Sequence, residues 1–290
     1  MSSRILVGIS GWRYPPWRGV FYPDGLPQRL ELAFASRAVP SIELNGSFYS
    51  LQRPSSYLRW AGETPPGFVF SIKGSRFITH MLKLREPERA LARFFGSGLL
   101  SLGPKLGPIL WQFPEAFKFD EGRFRSFLEM LPETTVAAAT LARRHGELQA
   151  GGEPRASSRI RYAIEVRSPT FRNEAFFRLL RDRPAALVVA DTAGRWPFFD
   201  DPTADFMYLR LHGDVELYAS GYSAEALDRW AERIRDWSRE RDVYCYFDND
   251  AKVKAPGDAR TLMAKLDLEV TDLDRIWTRS RTGAGCIRRA

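Results

Sequence analysis

The chain has 290 residues, of which 44% are hydrophobic and 27% charged, with 43 Lys and Arg against 35 Asp and Glu for a formal net charge of +8. That length lies in the range a single α/β barrel occupies, and that composition excludes a mainly disordered chain. The cationic excess favours anionic partners, and two cysteines as far apart as Cys245 and Cys286 exclude a disulfide framework or a CxxC redox pair.

Short β-branched or aromatic runs recur along the chain. They are Ile5 to Ser10, Ser41 to Phe48, Phe68 to Gly74, Gly107 to Phe113, Tyr162 to Arg167, Ala185 to Asp191, Asp205 to His212 and Asp242 to Asp250. Amphipathic segments follow most of them, among them EPERALARFFGSGLL, RFRSFLEML, EAFFRLLRD and SAEALDRWAERIRDWSRE. Eight alternating strand and helix units predict a parallel sheet closed as a (β/α)8, TIM-barrel-like single domain spanning residues 1–290. An open doubly wound sheet would want a glycine-rich phosphate turn after the first strand, where GISGWRYPPW offers aromatics and prolines.

Two stretches are expected to be irregular. Residues 133–161 read as a helix followed by a mobile, variable surface loop, and TAGRWPFFDDPTA makes the sixth βα unit too rich in Gly and Pro for a regular helix. A basic tail is expected from about residue 279. The apolar run near the N-terminus is too short for a secretory signal, and no stretch is long enough to span a bilayer, so a cytoplasmic protein without membrane insertion is expected. No protein partner is predicted.

The fifth run, YAIEVRSPTF, holds the functional clue. Tyr162, Ile164 and Val166 share one face, while Glu165 and Arg167 follow Ala163 on the other. The same turn toward polarity marks other strands: Glu43, Asn45 and Ser47; Ser71 and Lys73; Gln112; Asp191 after Val189; Arg210 and His212 after Tyr208; Asp248 and Asp250 after Tyr246. Polar groups gathering at strand C-terminal ends are what a barrel mouth would present. A buried ion-pair network that fixes register is the competing reading.

The runs GISGWRYPPW, SIELNGSFYSLQRP, FSIKGSRFITH, LGPILWQFP, E-x-R in strand five, ADTAG, YLRLHG and YCYFDND resemble, in order and spacing, the YecE-like proteins, domain of unknown function 72. The resemblance covers nearly the whole chain. It implies a barrel with a pocket at its mouth, similar in broad architecture to the endonuclease IV and xylose isomerase barrels, and it supplies no reaction. Glu43, Asn45, Lys73, Arg76, His80, Gln112, Glu165, Arg167, Asp191, Arg210, His212 and Asn249 fall in its motifs. EVRSPTF lacks the His or Asn expected after the Arg, and FDND stands where FNN is usual.

Three chemistries fit these residues. Glu43, Glu165, Asp191, His212 and Asp248 are donors of the kind that hold Mg²⁺, Mn²⁺ or Zn²⁺, although three histidines in the chain are few for a zinc cluster. Lys73, Arg76, His80, Arg167 and Arg210 would instead recognise phosphate or carboxylate, with Glu43, Glu165, Asp191 and His212 as catalytic acids or bases. Trp12 and Tyr49, with Tyr14, Trp17, Phe21 and Tyr22, would stack on bases or sugars unless they plug the core. Asn45, Gln112, Asp248 and Asn249 complete the expected substrate contacts. The expectation is an acid-base enzyme for an anionic, phosphate-bearing substrate, with nucleic acid among the candidates. The alternatives are a non-catalytic nucleic-acid or nucleotide-binding module and a metal-dependent sugar isomerase or epimerase. Cofactor and metal stay undetermined at this level.

Overall fold

The computed structural model describes residues 3–276. Its eight strands are β1 (Ile5–Ser10), β2 (Ser41–Leu44), β3 (Val69–Lys73), β4 (Leu106–Gln112), β5 (Tyr162–Glu165), β6 (Ala185–Asp191), β7 (Phe206–Leu211) and β8 (Asp242–Phe247). All neighbours pair in parallel, and β1 closes on β8. The protein is a closed eight-stranded parallel barrel with α-helices in every connection between consecutive strands but one. The helices are α1 (Glu31–Ala38), α2 (Gly46–Tyr49), α3 (Pro54–Glu63), α4 (Glu88–Gly96), α5 (Glu121–Met130), α6 (Thr135–Arg144), α7 (Glu174–Asp182), α8 (Ala224–Ser238) and α9 (Ala255–Lys265).

Local chemistry starts four of these helices where the amphipathic pattern begins. Asp120, Thr134, Asn173 and Ser223 each accept a backbone N–H of the first turn of α5, α6, α7 and α8. Their apolar faces join one continuous core between barrel and helices, where Trp17, Trp111, Phe94 and Phe113 are fully enclosed. No helix forms between β6 and β7, as the Gly and Pro content there predicts. Instead Thr203 in that connection accepts the Leu187 N–H at 2.8 Å and donates to the Ala185 carbonyl at 2.6 Å. In residues 133–161 the expected helix is α6, and the following chain is fastened by Gln149 N–H to Gly96 O and Ile160 N–H to Glu133 O. The predicted basic tail lies outside the described residues, as does Cys286, while Cys245 is free and buried.

Strand C-termini fall short of the sequence expectation by two or more residues in β2, β5 and β8. After Leu44 the chain turns into α2, because the Ser47 hydroxyl bonds the Leu44 and Lys73 carbonyls rather than a ladder partner. After Glu165, Ser168 accepts the Thr170 N–H and opens a short turn at Pro169.

A second core fills the barrel itself, from Leu6, Val69, Leu110, Ala163, Ala186, Val188, Phe206 and Tyr244. Small residues on β5 and β6 face large aromatics on β7 and β8, so the interior is filled rather than hollow. Above this apolar plug comes a hydroxyl layer: Ser41 meets Tyr246, and Ser71 meets Tyr208, each at 2.7 Å. Gly8 makes room for it. A Cβ there would lie 2.1 Å from the Ser41 carbonyl oxygen on the neighbouring strand. Gly8→Ala is therefore expected to lower stability by about 1–3 kcal/mol, measurable by urea unfolding. An unchanged midpoint would mean that β1 and β2 can separate without cost.

Candidate functional site at the barrel mouth

Arg210, near the end of β7, organises the charged layer. Its Nε and Nη2 donate to the two oxygens of Glu43 at 3.0 and 2.8 Å. Its Nη1 donates to Glu165 at 2.8 Å and its Nη2 to Asp248 at 2.6 Å. The remaining Nη1 contact, at 3.3 Å, is to His212 Nε2. A guanidinium only donates, so His212 Nε2 is the acceptor and its proton sits on Nδ1. All five guanidinium N–H groups are thereby taken. Arg210 and Glu43 are both 0% exposed, which places the pair inside the barrel rather than on its rim.

Glu43 and Glu165 use both of their oxygens. Glu43 also accepts the Ser10 and Tyr208 hydroxyls, each at 2.7 Å. Glu165 accepts Arg167 Nε at 2.9 Å. Burial alone would raise the Glu165 and Asp248 carboxyls. Arg210 outweighs it, helped by Arg167 at Glu165, and holds both well below the usual carboxylate range. His212 is enclosed, and burial followed by Arg210 lowers its pKa, so it stays neutral. Its Nδ1 lies 3.2 Å from Asp248 but without hydrogen-bond alignment.

Lys73, at the end of β3, stands apart from this pairing. No hydrogen bond or ion pair from the described residues reaches its Nζ, which sits 4.5 Å from the centre of the Phe48 ring. Burial, then Arg210, lowers its pKa from 10.5 to about 8. The next residue, Gly74, lies flat against Trp111, where a Cβ would approach the indole to 2.2 Å. That contact fixes how the strand end delivers Lys73. Gln112, buried on the adjacent strand, has no side-chain hydrogen bond within the described residues.

At the rim, Arg167 stacks on Trp196 at 3.7 Å and donates to the Tyr218 hydroxyl at 3.3 Å. Tyr218 holds a left-handed backbone, φ 64°, and packs edge-on against His212. His80 bonds Thr79 through Nδ1 at 2.8 Å, and burial, then Lys73 and Arg167, lowers its pKa to about 4. Asn45 adjoins Tyr14 at the end of β2, and its buried Oδ1 has no partner within the described residues.

The structure thus brings together Glu43, Lys73, His80, Glu165, Arg167, Arg210, His212 and Asp248, with Asn45 and Gln112 beside them. It does not bring Asp191 there. On β6 the interior positions are Ala186, Val188 and Ala190, so Asp191 falls on the outer parity and accepts Tyr222 OH at 3.1 Å. Burial raises its pKa. Asn249 is also outside the cluster, donating to Ser220 O and to Asp258 on α9. Trp12 packs edge-to-face on Trp60 at 5.4 Å within the outer core, so it offers no stacking face. Tyr49, 67% exposed, and Arg76, whose guanidinium lies 5.4 Å from the Tyr49 ring, sit on the rim. Tyr49 also lines a separate cleft of about 670 Å³ with Phe77, Arg89 and Arg93.

The proposed metal donors are not disposed around an empty centre. Asp191 is elsewhere, and Glu43, Glu165 and Asp248 converge on the Arg210 guanidinium, which takes the place a cation would take. Among the described residues no group of three or more His, Cys, Asp or Glu is arranged to hold a metal ion. Sequence reasoning missed Ser10, Trp196 and Tyr218. Ser10 ends β1 on the inward parity and could have been read from it, whereas Trp196 and Tyr218 come from irregular connections with no periodic signal.

A closed eight-stranded parallel barrel with a charged, partly unsatisfied layer at its C-terminal face belongs to the TIM-barrel class. Within that class the pattern of the family described as "Protein of unknown function DUF72" matches residues 6–282, and the chain belongs to that family. It is similar to the UPF0759 protein YunF of Bacillus subtilis, 30% identical over 39% of this chain and 41% of that one. It is similar to the UPF0759 protein YecE of Escherichia coli, 28% identical over 39% of each chain. These matches span about two fifths of the length of the curated relatives. A DUF72 family protein from Thermotoga maritima superposes with a TM-score of 0.73 at 26% identity, covering 91% of this chain and 99% of that one. One from Enterococcus faecalis shares the fold at 17% identity, with a TM-score of 0.72 and coverage of 93% and 98%. No helix among the described residues is long and apolar enough to cross a membrane.

Proposed function

We propose that the protein is an enzyme acting at the barrel mouth, by acid-base chemistry, on a small anionic substrate bearing a phosphate. The observation that carries this reading is Lys73, a buried amine without a partner among the described residues, beside carboxylates that already bind Arg210. A structural network would be expected to pair its lysine. Glu165 and Asp248, held ionised, cannot donate protons near neutrality, and their part is to fix Arg210. Lys73 exchanges a proton at about pH 8 and is the general base or acid of the proposed reaction. Arg210 has no N–H to spare, so Arg167, whose Nη1 makes no hydrogen bond within the described residues, would meet the anion. The exposed Tyr49 with Arg76 beside it supports a nucleotide or nucleic-acid component in the substrate.

The test is calorimetric titration of a panel of sugar phosphates, nucleotides and short oligonucleotides beside their unphosphorylated parents, followed by turnover assays on whatever binds. A phosphorylated ligand should bind wild type at least about tenfold more tightly than its parent, a preference lost in Arg167→Met. Turnover should follow a pH profile with an inflection near 8, and it should be absent from Lys73→Met while binding persists. Equal binding of phosphorylated and unphosphorylated ligands would overturn the phosphate assignment, and binding without any turnover would favour a pure binding module.

A further inference from the structure

We propose that Lys73 is an amine nucleophile that forms an imine with an aldehyde or ketone carbon of its substrate. The phosphate on that substrate rests on the reading above; the imine rests on the surroundings of Nζ alone. Three features of those surroundings point the same way.

First, the neighbouring carboxylates are turned to Arg210, and none of the described residues forms an ion pair with Nζ. Glu43 holds Arg210 twice and two hydroxyls, Glu165 holds Arg210 and Arg167, and Asp248 holds Arg210. Second, Lys73 is 8% exposed, its amine lies against the Phe48 ring, and nothing within the described residues hydrogen-bonds it, so its lone pair is open to attack a carbon. Third, Gln112 lies two residues beyond Leu110, the register partner of Lys73 on the adjacent strand, is buried, and has no side-chain hydrogen bond within the described residues, so its amide is available for the oxygen that the attack generates. Of the other buried nucleophiles, Ser10 donates to Glu43, and Cys245 lies in the outer core.

The step balances without a further reagent. Lys73 as the free amine attacks the carbonyl carbon, a C–N bond forms, and the carbonyl oxygen takes up a proton to give a carbinolamine. Loss of that oxygen as water leaves the C=N bond. The amine's two protons depart overall with the water. The groups facing Lys73 set its reactivity: Arg210 and burial favour the neutral amine, while Glu43, Asp248 and Glu165 oppose them. At pH 7.5 about a quarter of such an amine is neutral, against on the order of 0.1% for an ordinary lysine.

The chain has few competitors, since Lys83, Lys105, Lys118, Lys252, Lys254 and Lys265 are the other lysines. The experiment treats the whole chain with pyridoxal 5′-phosphate, an aldehyde bearing phosphate, and in parallel with pyridoxal, then reduces with borohydride and maps the modified lysine by peptide mass spectrometry. Lys73 is expected to be labelled at least about tenfold faster than exposed Lys83, Lys118 and Lys254, to favour the phosphorylated reagent, and to be protected by inorganic phosphate. Labelling spread over the exposed lysines with Lys73 spared overturns the imine. Fast labelling of Lys73 by both reagents alike, unprotected by phosphate, upholds the imine and removes the phosphate reading. Lys73→Arg should lose the label, and because wild-type mapping decides the question, a misfolded variant leaves the result intact.

Discussion

Arg210→Met should be the most damaging single substitution in this protein, lowering stability by about 3–5 kcal/mol or preventing folding. The side chain is fully enclosed and answers Glu43, Glu165 and Asp248 together. Removing it leaves those carboxylates buried against one another, with Arg167 and Lys73 the remaining cations acting on them among the described residues. The pH dependence should also invert. In wild type, Arg210 depresses Glu165 and Asp248 below their unfolded values, so their contribution is complete above about pH 4 and is lost as pH falls below it. In the variant burial is no longer outweighed, the same carboxyls rise, and stability should increase as pH is lowered from 7 to 5. Urea unfolding at pH 7 and pH 5 reads both effects. A variant within about 1 kcal/mol of wild type, with the wild-type pH slope, would falsify the compensation argument.

The barrel was legible in the sequence because eight apolar runs alternate with amphipathic segments, and parallel pairing needs that order. The mouth was legible where one strand face is apolar at its start and charged at its end, as in Tyr208, Arg210 and His212. It failed on β6 for a physical reason: AALVVAD is apolar on both parities, so nothing in it says whether Val189 or Val188 faces the axis. Asp191 was accordingly assigned to the wrong side. Residue type also cannot distinguish a guanidinium that awaits a ligand from one already saturated. Arg167 and Arg210 look alike in sequence, yet only Arg210 has all five donors engaged. Asn249 and Trp12 carry ligand-like chemistry, but distant partners, Asp258 and Trp60, claim them for the scaffold. Partners separated that far along the chain leave no local pattern.

Lys73→Met should stabilise the protein while abolishing the proposed turnover. An ordinary lysine keeps its proton to about pH 10.5, whereas burial and Arg210 bring Lys73 to about 8 in the folded chain. Between those values the unfolded chain binds the extra proton, so wild-type stability rises with pH across the window from 8 to 10.5. Below pH 8 the folded state carries the whole cost of a desolvated ammonium, roughly 3 kcal/mol. Methionine occupies similar volume and has no charge to desolvate. The variant should therefore exceed wild type by up to about 3 kcal/mol at pH 7, and the gap should close as pH approaches 10.5. Urea unfolding at pH 7, 9 and 10 follows the difference directly. If Lys73→Met is instead less stable at pH 7, the ammonium belongs to the charge network as a counter-ion, and its availability for proton transfer or imine formation fails with it. A gain in stability joined to a loss of turnover would identify Lys73 as a group held in an unfavourable setting for its reactivity, because a residue kept only for the scaffold has no reason to weaken it.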